Sequence, residues 1–267
     1  MEENQQMQTR SGEIRPPSPW LALTELPRAL IEFGSLPLAA PILRSMPRGD
    51  GHPVLVLPGF IASDVSTHPL RRFLSRMGYH AHEWELGRNL GPRAIGREGE
   101  KLAARLRSIH ETTGRKVSLV GWSLGGVMAR LVARRTPEAV RQIITLGSPF
   151  ARSPRATNVW RAYELFTGQK IDDPHTQRQR SESAAPPPVP STAIYSRKDG
   201  VVAWQNCREQ NTPITDNIEV HGSHCGLGVN PAVLYAVADR LSQAEDDWQP
   251  FQRKGMRAWV YPPAGHA

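Results

Sequence analysis

The stretch VSLVGWSLGGVM, from Val117 to Met128, decides the fold. Val117, Leu119 and Val120 form a short apolar run with β-branched residues, the composition of a strand. Gly121-Trp122-Ser123-Leu124-Gly125 then matches the pattern G-x-S-x-G, and Val127, Met128, Leu131 and Val132 recur at helical spacing. A strand, a tight turn and a helix are therefore predicted, with Ser123 at the bend, the context in which that pattern presents a nucleophilic hydroxyl. A serine on so sharp a bend takes up a strained backbone conformation. Gly121 and Gly125 carry no Cβ to collide with it. A helix starting beneath the serine turns free N–H groups and a partial positive charge toward its oxygen.

Working outward, Val54-Leu55-Val56-Leu57 reads as a strand buried on both faces and ended by Pro58-Gly59-Phe60. Thr67 to Met77 is predicted as a helix closed by Gly78, Tyr79 to Leu86 as a strand, and Gly87 to Pro92 as a loop. Ala94 to Thr113 reads as one long helix with Ile95, Leu102, Leu106 and Ile109 toward the core. The helix after Ser123 runs to about Arg135, and Val140 to Leu146 is a further buried strand ended by Gly147-Ser148-Pro149. This alternation predicts an α/β fold, a mostly parallel sheet of about six strands with helices on both faces. Ligands bind such sheets at the carboxyl ends of the strands, so Pro58-Gly59-Phe60, Ser123 and Gly147-Ser148-Pro149 should share one edge.

The alternation stops at Phe150. The segment 151–190 is rich in arginine, ends in a run with four prolines, and contains one short amphipathic helical pattern at Trp160, Tyr163, Leu165 and Phe166. It reads as a lid-like insertion. The sheet resumes with Ser191 to Tyr195 and Asn217 to Val220, and a last helix spans Pro231 to Ser242. The domain plan is thus a disordered tail over 1–19, a helical segment over 20–47, the α/β domain over 48–243 and a tail over 244–267. In the helical segment Leu26, Leu30, Ile31 and Phe33 form a stripe expected to pack on its own domain, with a membrane-surface or partner-docking helix as the alternative. The aromatic residues of the final tail, Trp248, Phe251, Trp259 and Tyr261, have no docking place assigned.

Of the 267 residues 39% are hydrophobic and 22% charged, enough apolar material for one large domain with a packed core. A net charge of +8 favours anionic partners, but no basic cluster interleaved with aromatics is present, so nucleic acid is not an expected partner. The polar, acidic start predicts no secretory signal, no apolar run approaches the length of a membrane span, and two cysteines fit a cytoplasmic protein, with peripheral membrane contact as the alternative.

A serine hydroxyl needs a base within hydrogen-bond reach, and the base needs a carboxylate to orient it. Asp199 follows the strand ending near Tyr195, and His224 follows the strand ending near Val220. The candidate catalytic set is Ser123, Asp199 and His224. His221 lies nearer its strand, and neither Asp216 nor Asp172 follows one, so they rank lower. The oxyanion formed on attack requires backbone N–H donors, expected from Leu124 and Phe60. Trp122 and Gly59 are candidate substrate contacts. No cofactor or metal is expected. His80 and His82 lack a third ligand nearby and read as surface residues.

With Leu57-Pro58-Gly59-Phe60, Gly121 to Gly126, Gly147-Ser148-Pro149, Asp199-Gly200-Val201-Val202 and Gly222-Ser223-His224 in place, the sequence resembles the α/β-hydrolase superfamily over roughly Val54 to Leu241, and bacterial lipases and esterases within it. The resemblance implies a carboxyl-ester hydrolase acting through an acyl-enzyme on small-molecule or lipid-like esters. An acyltransferase or a non-catalytic binding protein on the same fold is the alternative. Many lipases carry His-Gly where this chain has Pro58-Gly59, and the chain starts at the fold's third strand, implying a minimal sheet. In related secreted lipases a disulfide ties the acid and histidine loops. The resemblance raises such a bridge for Cys207 and Cys225, against the thiols expected of a cytosolic protein.

Overall fold

The apolar runs become the centre of one six-stranded sheet. In chain order the strands are β1 (Pro53–Leu57), β2 (His80–His82), β3 (Val117–Trp122), β4 (Val140–Leu146), β5 (Ser191–Tyr195) and β6 (Thr215–Glu219). Across the sheet they run β2-β1-β3-β4-β5-β6, with every neighbouring pair parallel. The helices are α1 (Pro19–Leu23), α2 (Glu25–Gly34), α3 (Leu36–Arg44), α4 (Asp64–Met77), α5 (Pro92–Ile95), α6 (Glu100–Thr113), α7 (Leu124–Arg135), α8 (Trp160–Thr167), α9 (Pro174–Ala184), α10 (Pro231–Leu241) and α11 (Arg257–Val260). This computed structural model describes residues 14–151, 155–168, 170 and 172–263. The tail expected to be disordered lies outside them as far as residue 13.

Alternation along the strands builds two cores. Val54, Val56 and Val120 meet Leu70 and Leu74 of α4 and Val233 and Val237 of α10 on one face. Leu55, Leu57 and Leu119 meet Leu102 and Leu106 of α6 and Met128 and Val132 of α7 on the other. The final tail joins the first core through Phe251 and Tyr261, whose hydroxyl donates to the Ala232 carbonyl at 2.8 Å.

Three elements depart from expectation. The strand expected over Tyr79 to Leu86 stops at His82, because the N–H groups of Trp84 and Glu85 donate to the Asp64 carboxylate at 2.9 and 3.2 Å instead of continuing the sheet. The helix expected from Ala94 divides into α5 and α6 at Gly96 and Gly99, both with positive φ. The insertion holds a second helix, α9, started by Pro174 and by Asp173, which accepts from the N–H groups of His175 and Thr176. Its sequence PHTQRQRSESA has almost no apolar residue, so periodicity carries no signal for it.

The helical segment is also turned over. Leu26, Leu30, Ile31 and Phe33 face outward and are exposed, while Glu25, Arg28 and Glu32, at i, i+3 and i+7, face the domain. Glu25 is buried and accepts from the N–H groups of Gly200 at 2.7 Å and Cys225 at 2.8 Å. Arg28 donates to Glu25 and to the Lys198 carbonyl. Glu32 accepts from the Ser223 N–H at 2.7 Å and from Asn230 Nδ2 at 3.0 Å, and the space of a Cβ on Gly226 is filled by its carboxylate. One helix thereby holds both loops in which Asp199 and His224 lie.

At the amino edge of the sheet a second cluster pins β1 to β3. His52 Nδ1 bonds Asp50 at 2.5 Å and Nε2 bonds Ser118 Oγ at 2.9 Å. Arg141 and Arg115 pair with the same Asp50. His52 and Ser118 are both 0% exposed, so this serine–histidine–aspartate array is a structural pin. Burial, against the pull of Asp50, brings the His52 imidazole down to about 4.

Two outcomes are expected. An imidazole that resists protonation in the fold and accepts it near 6.5 when unfolded stabilises above 6.5 and loses that contribution as pH falls toward 4, roughly 3 kcal/mol. Chemical denaturation across that range should show the loss, and His52→Gln should flatten its slope. Glu25→Ala leaves the buried N–H of Gly200 and the half-buried N–H of Cys225 without their acceptor, and should lower unfolding free energy by about 2 kcal/mol in urea titration.

Candidate active site

Ser123 joins β3 to α7 with φ 52° and ψ −121°, a positive φ that only three non-glycine residues share among those described. Such a conformation costs about 1–3 kcal/mol and persists where its surroundings enforce it. The Ser123 N–H donates to the Leu146 carbonyl at 2.8 Å, and its own carbonyl accepts from the Gly126 N–H at 3.0 Å. The backbone around the turn is closely packed. A Cβ on Gly121 would lie 2.4 Å from Gly126 Cα, and one on Gly125 would lie 2.5 Å from the Leu57 carbonyl oxygen.

Ser123 is 9% exposed and opens into a cavity of about 140 Å³. Its walls come from Leu124, Met128 and Leu131 of α7, from Phe60 after β1, and from Trp160 and Tyr163 of α8. The Phe60 ring lies 5.6 Å from that of Tyr163 and 6.3 Å from that of Phe166. Buried Arg130 on α7 holds the far end of the insertion, donating to the carbonyls of Ser183 and Ala185, to the Glu209 carboxylate, and stacking on Phe150 at 3.8 Å. Among the described residues the backbone N–H groups of Phe60 and Leu124, both at the cavity, donate to nothing.

The Phe60 loop is set by a residue that sequence reasoning passed over. Asn89, fully buried, donates through Nδ2 to the Pro58 carbonyl at 2.7 Å, and its backbone exchanges hydrogen bonds with Ile61 and Ala62 at 2.8 Å each. Its only signal was its place in the Gly87–Pro92 turn sequence.

Asp199 and His224 are both buried and joined at 2.6 Å through Oδ2 and Nδ1. The other carboxylate oxygen accepts from the N–H groups of Val201 at 2.8 Å and Val202 at 2.7 Å. Ser196 Oγ ties the two loops by donating to the Gly222 carbonyl at 2.7 Å. Burial alone would lower the His224 imidazole, but the Asp199 charge and hydrogen bond, with Glu25 beyond, outweigh it and raise it above its ordinary value. Among the described residues Ser123 Oγ makes no hydrogen bond, so the serine is not linked to the Asp199–His224 pair; the nearest tie is that of its chain neighbour Trp122, whose indole N–H donates to the His224 carbonyl.

Trp122, expected as a substrate contact, is not part of the cavity lining. Its indole N–H donates to the His224 carbonyl at 3.1 Å and its ring packs at Gly228, away from the cavity lining. Gly59 lies against Ser123, where a Cβ would stand 3.4 Å from the serine Cβ. His221 is exposed, Asp216 accepts from the Phe251 N–H, and Asp172 pairs with Arg155. His80 and His82 lie on β2, and no group of three or more metal-ligating side chains occurs among the described residues. Cys207 and Cys225 are free thiols. Burial raises both, Cys225 to about 11, and the tie between the two loops that a disulfide would make is made by Glu25.

Comparison with known proteins places this geometry. The PGAP1-like alpha/beta domain family matches residues 101–200. A triacylglycerol lipase of Pseudarthrobacter phenanthrenivorans is 31% identical over 91 residues, 33% of this chain and 25% of that protein, so the match spans a quarter of the relative's length. The lipase B structure of Aspergillus fumigatus superposes with a TM-score of 0.58 at 19% identity, covering 74% of this chain and 55% of that one. The monoacylglycerol lipase of Paleococcus ferrophilus gives 0.53 at 16% identity, covering 73% and 96%. Strand order and these superpositions give the chain the α/β-hydrolase fold, and its central part is similar in sequence to lipases of that fold.

Proposed function

We propose that this chain is a serine carboxyl-ester hydrolase that works through an acyl-enzyme on lipid-like acyl esters. The observation that carries the reading is a serine held at positive φ, open to an apolar cavity with two unbonded N–H groups, in a sheet whose later strands lead into a buried aspartate–histidine pair. Ser123 is the nucleophile. Asp199 holds Nδ1 of His224, which leaves Nε2 to take the serine proton as Oγ attacks the ester carbonyl. The N–H groups of Phe60 and Leu124 receive the charge that develops on the carbonyl oxygen. Collapse expels the alcohol, which takes its proton from His224, and water activated by the same imidazole releases the acid. The serine–histidine contact closes when substrate is bound, as catalytic contacts commonly do.

The substrate class follows from the cavity. Phe60, Met128, Leu131, Trp160 and Tyr163 offer an acyl chain an apolar bed under the lid formed by α8 and α9. The names of the lipase relatives accord with this choice.

A fluorophosphonate probe should label the wild-type chain and leave Ser123→Ala unlabelled; an unlabelled wild type overturns the reading. With p-nitrophenyl esters, Ser123→Ala should lower kcat by roughly 10⁴–10⁶-fold. The raised His224 imidazole places the acid limb of kcat/KM above pH 6.5, because below it the ring already holds a proton and cannot accept one. Asp199→Asn should move that limb down and cut kcat by roughly 10⁴-fold.

A further inference from the structure

Eight of the fifteen large apolar side chains exposed among the described residues fall within α1 to α3, a stretch that is a tenth of the chain. Isolated surface leucines need no account, but a contiguous apolar face of this size marks an interaction surface. On α2 the exposed residues Leu26, Leu30 and Phe33 fall at i, i+4 and i+7, and on the adjoining α3 Leu38 and Ile42 are exposed four residues apart. Leu30 is 72% and Leu38 84% exposed.

Charge says what covers it. Beside Phe33 and Leu36 runs a groove of about 770 Å³ between α3 and α4, and its exposed rim carries Arg44, Arg48, Arg72 and Arg76. None of the four pairs with a carboxylate among the described residues; Arg48 instead donates to the Arg76 carbonyl. The acidic residues of α2 are turned the other way, into the domain. An apolar face with a purely cationic flank matches an anionic bilayer, whose surface attracts the arginines while its acyl region receives the leucines.

We infer that α2 and α3 form a monotopic docking surface for an anionic phospholipid bilayer. The pair lies along the surface and does not cross it. No single described helix is long and apolar enough to span, α2 and α3 meet at a 51° bend, and a span would strip Glu25 and Glu32 of their bonds to the domain. The pair is so placed that the bilayer meets one side of α2 while the loops of Asp199 and His224 hold the other. Docking itself does not depend on the esterase reading, and its test reads binding alone.

The experiment is co-sedimentation of the full chain with vesicles of phosphatidylcholine alone or mixed equally with phosphatidylglycerol. The expected result is at least about tenfold stronger partition onto the anionic vesicles, weakened at about 0.5 M salt. The double variants Leu30→Ser with Leu38→Ser, and Arg72→Glu with Arg76→Glu, should each lower it by about tenfold or more with unchanged thermal melting. Equal partition of wild type onto both vesicles, no partition at all, or variants that bind like wild type overturn the inference. A dimer in light scattering that the leucine variant dissociates, with no vesicle binding, assigns the face to a second copy and overturns it equally.

Discussion

The loops that present Asp199 and His224 satisfy their backbone N–H groups on carboxylates. Asp199 takes those of Val201 and Val202, Glu25 takes those of Gly200 and Cys225, and Glu32 takes that of Ser223. A buried carboxylate is costly unless its oxygens are bonded, and a buried N–H is costly unless it has an acceptor. Each group removes the other's penalty. The imidazole feels two of these carboxylates: Asp199 and, beyond it, Glu25 both raise it above its ordinary value. The position of the histidine therefore depends on a helix nearly two hundred residues upstream as much as on its own strand.

What the sequence shows well is the part governed by short-range pattern. Strand β1 is a continuous apolar run, β3 and β4 are apolar over most of their length, and the strand ends set Ser123, Asp199 and the Phe60 loop on one edge. The orientation of α2 lies beyond pattern. Its residues form two stripes, one apolar and one of Glu25, Arg28 and Glu32, and spacing alone does not say which turns inward. The charged stripe wins because two loops downstream offer N–H groups that need acceptors, a fact that exists only after folding. Asn89 and Arg130 escape for the same reason, since their partners are carbonyls far along the chain. Helix α9 escapes for want of any apolar face.

Residue type and distance do not by themselves make a site. Asp50, His52 and Ser118 form a fully hydrogen-bonded chain of the same three residue types as Asp199, His224 and Ser123. In the first array the histidine and serine are sealed from solvent, and the histidine is pushed down to about 4. In the second the aspartate raises the ring, and the serine opens into a cavity beside free N–H groups. Solvent access and the electrostatic surroundings separate a pin from a candidate centre.

The inward carboxylates of α2 also bear on where this fold can be divided. A fragment beginning at β1 would retain all six strands and every buried residue of the two cores except Leu43 and Met46, and by hydrophobic content alone it looks nearly self-sufficient. It would nevertheless lack the acceptors for Gly200, Ser223 and Cys225. The minimal autonomous unit is thus larger than its sheet, and any transplant of the scaffold has to carry the leading helices with it.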